Sequence, residues 1–238
     1  MYKKETKMNT TISDSTGFSG KVSLKKILLI CGILSSLLYV AATILGAMRW
    51  KGYSSTSQTV SELIAIDAPS APLVIPLFFA YSVLMFAFGL GVWRSSGQKR
   101  ILRIVAYFIV GKEVLGLAAT LFAPMHMRGQ ETTLSDTMHA LLTGVGVFLC
   151  MFPAIGLGAK AFGKQFRLYS IGTMLIFIVF GIMSFLDAPQ LAANLPTPWL
   201  GVWERVNIFG YLLWIVVLAI VLLKTEKRED SIKSTTLG

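Results

Sequence analysis

Six long apolar runs govern what this chain can fold into. They cover roughly Ile27–Met48, Ala71–Trp93, Ile101–Ala123, Met138–Ala159, Leu168–Asp187 and Val206–Leu223. Each is close to the ~20 residues that a helix needs to cross ~30 Å of hydrocarbon. The runs are continuously apolar, without the period-two alternation of a barrel strand, so helices are expected. Composition agrees, because 54% of the 238 residues are hydrophobic and only 14% are charged, more apolar than a soluble core requires. The expected fold is all-α: a polytopic membrane protein built as a bundle of six transmembrane helices. That domain occupies residues 23–225. A polar, aperiodic segment at 1–22 reads as a disordered cytoplasmic tail, and 226–238 as a second cytoplasmic tail. The first apolar run is long enough to span, so it reads as a retained helix rather than a removed signal.

The net charge of +10 invites a nucleic-acid reading, but its distribution argues for topology instead. Seventeen Lys and Arg fall in the N-terminal segment through Lys26 and in Arg94–Arg103, Lys160–Arg167 and Lys224–Lys233. Only Arg49, Lys51, Arg128 and Arg205 fall in the alternate connections. The positive-inside rule then puts both termini in the cytoplasm of a cell (plasma) membrane protein. Partners follow from this: the lipid bilayer, a lipid or small-molecule ligand, and no nucleic acid. A homo-oligomer is compatible with six helices and would be required of a carrier. Cys31 and Cys150 both sit inside apolar runs, which gives neither a disulfide framework nor a Cys-based metal site. No cofactor is implied.

The outer connections, about 49–70, 124–137 and 188–205, hold most of the chemistry. Trp50, Trp199 and Trp203 lie near their boundaries and suit an aromatic belt. Two ionisable residues lie deeper. Lys112 and Glu113 sit near the middle of the third run, where a charge costs about 2.5–3.5 kcal/mol on insertion scales. Glu113 shares a stripe with Gly116 and Thr120, so this side should face the bundle. The pair serves as an ion or proton relay, as a counter-charge for a ligand, or as structural ion-pair partners for neighbouring helices. Adjacent helical residues point about 100° apart, so the two need not pair with each other.

His126, Asp136 and His139 are the candidates for catalysis or for a metal site. Asp136 and His139 are three apart and share a face, and two histidines with a carboxylate suit zinc or acid–base chemistry. Against that, a helix-start Asp is commonly a cap. Glu62, Asp67, Arg128, Asp187, Glu204 and Arg205 are the candidate ligand-binding residues. Together these positions predict a polar cleft that opens to the outer face under the 49–70 loop, with Arg128 and Arg205 facing an anionic group. The alternative is that those arginines are satisfied by Asp136, Asp187 or Glu204. Glu204, Asn207, Tyr211 and Trp214 form one stripe entering the sixth helix.

Three stretches carry a resemblance. They are Phe122-Ala123-Pro124-Met125-His126-Met127-Arg128-Gly129 followed by Thr133–His139, Ser61-Glu62-Leu63 with Ala68-Pro69, and the segment from Thr197 to Ile208. With them the chain resembles the bacterial multi-pass membrane family called domain of unknown function 998, over roughly residues 27–224. The resemblance implies a multi-pass topology and no particular reaction. Three functions therefore stand together: binding in the outer cleft, a metal-dependent hydrolase or transferase at the outer leaflet, and a small proton-coupled transporter. The binding reading leads because it needs only the pocket.

Overall fold

The computed structural model describes residues 23–193 and 195–236. The segment 1–22, expected to be disordered, lies outside them. Six helices follow one another: α1 (Leu24–Arg49), α2 (Ala71–Arg94), α3 (Arg100–Phe122), α4 (Leu134–Gly158), α5 (Lys164–Ala192) and α6 (Leu200–Thr236). Each is long and apolar enough to cross a membrane, and the described residues contain no strand. Helix α6 outruns its apolar stretch at both ends and takes in most of 226–238. Hydropathy marks only the portion that suits lipid. The polar turns beyond it continue as helix and are paired with α1, Lys25 with Glu226 at 2.7 Å and Lys26 with Asp230 at 2.8 Å.

The helices form a closed ring in which each packs on its sequence neighbours and α6 returns to α1. Small residues permit the close crossings. A Cβ at Gly91 would come within 3.0 Å of the Leu28 backbone, so α1 and α2 touch main chain to main chain there. In the half of the ring bearing the short basic connections, the interior is solid. Leu29, Phe88, Leu102, Ile155, Trp214 and Leu218 fill it, all essentially inaccessible. Trp214 fits because Gly158 offers no side chain, and its indole N–H donates to Ser170 Oγ at 3.0 Å.

The opposite half is built differently. Helix α4 meets α5 chiefly through Phe152–Gly158. Just before that contact, Gly146–Met151 widens into a π turn. Pro153 supplies the reason: it has no N–H for the carbonyl of Leu149, and its ring would press on that oxygen, so the wider turn relieves both. Toward the long connections, 49–70, 124–133 and 193–199, α4 and α5 stand apart. Gly116, Gly144 and Gly181 lie in this half, and a Cβ at any of them would meet no atom within 4 Å. The consequence is a cavity.

Candidate functional site

The cavity measures about 470 Å³ and occupies the half of the bundle nearest the long connections, within the ~300–1,000 Å³ range of small-molecule sites. All six helices contribute to its wall, and Val60, Ser61 and Ile64 close its end. Its deepest polar feature is the pair from α3. Lys112 Nζ lies 2.9 Å from Glu113 Oε1, so the neighbours do pair with each other. The flexible Lys stem bridges the angular offset that the backbone imposes. Glu113, 2% exposed, also accepts from Tyr81 Oη at 2.9 Å and from Ser82 Oγ at 3.3 Å. The ammonium lies over the rings of Tyr81 and Tyr211, at 5.3 and 5.8 Å from their centroids. The charge at mid-helix is thus neutralised by its own neighbour and by α2, a structural answer to the insertion cost.

Nearer the long connections, His139 and Glu204 join the same wall. His139 is 6% exposed, with Nδ1 at 2.9 Å from the Ala123 carbonyl. A carbonyl only accepts, so Nδ1 carries a proton, and in the neutral ring Nε2 is left as an acceptor. That Nε2 is buried without a protein partner. The same holds for Asn207 Oδ1 and Tyr211 Oη, and both residues line the cavity.

The remaining sequence-selected residues divide into three groups. Glu62, Arg128 and Arg205 hold the 49–70 connection shut rather than facing a cleft. Arg128 pairs with Glu62, not with Asp136, Asp187 or Glu204: Nε and Nη2 each reach the carboxylate at 3.1 Å. Its Nη1 donates to Thr197 Oγ1 at 2.8 Å and Nη2 to the Ser57 carbonyl at 2.9 Å, so one guanidinium ties all three long connections together. Arg205 Nη1 donates to the carbonyls of Ser55 and Gln58, both at 2.8 Å, and Nη2 to Tyr53 Oη. Glu204 Oε2 accepts from the Val60 backbone N–H. Burial pushes the Tyr53 hydroxyl up to about 12, against the pull of Arg205.

His126 and Asp136 form the second group. Asp136 closes the N-terminal capping box of α4 with Thr133 and also accepts from the His126 backbone N–H at 2.6 Å and from its ring Nδ1 at 3.1 Å. Neither residue lines the cavity. Among the described residues no three His, Cys, Asp or Glu side chains gather as a metal set. Asp67 and Asp187 form the third group. Asp67 is exposed at a turn with φ 61°, and Asp187 is half-buried on α5 away from the cavity wall. Cys31 and Cys150 are free thiols. Sequence reasoning missed Tyr81 and Ser82. Their signal was present as the polar break in the otherwise apolar α2 run.

A second, apolar space of about 370 Å³ adjoins the cavity between α4 and α5. Val147, Phe148, Gly181, Phe185 and Asn207 line both. Phe148 is 68% and Phe185 74% exposed, so the groove reaches the bundle perimeter.

Six membrane-crossing helices around a half-filled ring define a multi-pass helical membrane protein. The model of the family described as "Protein of unknown function (DUF998)" matches residues 33–221, and the chain belongs to that family. Every wall residue of the cavity falls inside the matched stretch. No curated protein and no solved structure matches the chain.

Proposed function

We propose that this protein binds an amphiphilic ligand within the membrane, in the cavity between its helices. One observation carries the reading. The bundle is solid in one half, yet in the other it keeps about 470 Å³ walled by Lys112, Glu113, His139 and Glu204 amid apolar side chains, and this space runs into an apolar groove. Hydrocarbon-facing folds keep polar residues inside only against protein, water or ligand. Positive-inside bias puts the long connections outside and both termini in the cytoplasm. The loop struts make the 49–70 connection a fixed roof, so access is lateral, from the bilayer. His126 and His139 have separate partners, which supports binding over a shared catalytic metal.

Native mass spectrometry of the full chain, extracted in a mild detergent, tests this. The expected result is a one-to-one adduct of lipid mass. Gly116→Leu projects into open cavity space, so it should keep the thermal unfolding midpoint near that of the parent and lose the adduct. A parent protein without an adduct, or a folded variant that retains it, would overturn the reading.

A further inference from the structure

Resting on that reading, we infer that the ligand is an uncharged lipid whose head group carries hydroxyl donors, with its tail leaving through the groove between α4 and α5. The head-group chemistry follows from the wall's unmet hydrogen bonds. Among the described residues, five buried side-chain polar atoms lack a protein partner, and three of them belong to the cavity wall: His139 Nε2, Asn207 Oδ1 and Tyr211 Oη. A buried unpaired polar group costs about 1–3 kcal/mol, so three on the wall of one cavity call for a donor from outside the chain. Nε2 of a neutral His139 and Asn207 Oδ1 accept only, and Tyr211 Oη accepts or donates. A hydroxyl-bearing group satisfies all three.

Charge narrows the class. An anionic head group would need a free cation, and among the described residues none lines this space. Lys112 is engaged by Glu113, while Arg128 and Arg205 are bound into the roof. A cationic head group fares no better at Tyr211, because the Lys112 ammonium already lies 5.8 Å from that ring's centroid. Asn207 and Tyr211 are one helical turn apart on α6, and Asn207 also lines the groove. A head group held there therefore directs its tail past Gly181, Phe148 and Phe185 toward lipid.

The test uses the full chain in nanodiscs and four probes with matched eighteen-carbon tails: monooleoylglycerol, oleoyl lysophosphatidic acid, oleylamine and methyl oleate. Monooleoylglycerol should bind at least about tenfold tighter than the rest, the loss that one or two good hydrogen bonds would explain. Tyr211→Phe should weaken that binding several-fold while leaving the ligand-free unfolding midpoint unchanged or higher. A merely structural hydroxyl would move stability down and binding not at all. Gly181→Trp, which enters open space in the groove, should block the probe. Equal or tighter binding of the phosphate, amine or donor-free ester would overturn the inference, as would Tyr211→Phe losing stability without losing affinity. If native adducts are present but monooleoylglycerol is not preferred, the head-group inference fails alone. If no amphiphile binds and no adduct exists, the cavity reading fails with it.

Discussion

Arg128 grips Glu62 across 66 positions of sequence, through two N–H bonds of 3.1 Å to a carboxylate that is fully buried. This pair joins the 49–70 connection to the segment between α3 and α4. Removing one partner strands the other charge, which typically costs about 3–5 kcal/mol. Arg128→Ala should therefore lower the unfolding midpoint sharply in detergent. The double variant Arg128→Met with Glu62→Gln should be the milder lesion, and a double-mutant cycle would read the difference.

The same logic holds at mid-bundle with a different outcome. Glu113 keeps Tyr81 and Ser82 when Lys112 is gone, whereas Lys112 without Glu113 keeps only a hydroxyl contact at 3.3 Å and two ring faces. Glu113→Gln should thus destabilise more than Lys112→Met. Thermal unfolding of both variants in nanodiscs checks the order, and the reverse order would contradict this account of the pair.

Gly201 sits where α6 passes beneath the roof. A Cβ there would lie 2.3 Å from the Gln58 carbonyl oxygen and 2.6 Å from that of Ser55. Backbone has to move, and the Arg205 bonds to those two carbonyls move with it. Gly201→Ala should cost about 1–3 kcal/mol, in the range of overpacked sites, and should expose the 53–60 segment to proteolysis. Unchanged protease resistance would count against the fixed roof.

Tyr53 gives a pH signature. Its hydroxyl is raised from 10.0 to about 12 mainly by burial, so between those values the folded chain holds a proton that the unfolded chain releases. Stability attached to this group is complete below about pH 10 and declines as pH climbs toward 12. Tyr53→Phe should flatten that alkaline limb of the unfolding profile, although the variant also loses the bond from Arg205.

Much of this was legible in the residues. The apolar runs gave six helices because lipid enforces length and continuity, and the interior face of α3 followed from Gly116 and Glu113. What stayed hidden was partnership. Arg128 had six carboxylates within topological reach, Glu62, Asp67, Glu131, Asp136, Asp187 and Glu204, and periodicity alone favours none of them, since the choice rests on how the 49–70 chain folds back. The pairing of Lys112 with Glu113 was obscured because helical geometry describes Cβ directions and not the reach of a four-carbon stem. Asp136 and His139 share a face, yet one closes a capping box and the other turns to the Ala123 carbonyl. The cavity was visible only in part, as small residues in a polar stripe, because the splay of α4 from α5 depends on the local effect of Pro153.

A ring of helices has as many joints as members, and in this one all but a single joint are reinforced by a connecting peptide. The exception is the seam where α6 meets α1, closed by the Ser36 hydroxyl on the Leu212 carbonyl at 3.2 Å and clasped at its end by Lys25 and Lys26 on Glu226 and Asp230. Because the seam is already held shut without a covalent link, the order of the helices along the polypeptide is not what keeps the ring round. A circular permutant that joins α6 to α1 through a short polar linker and opens at the exposed turn around Gly97 should assemble the same bundle.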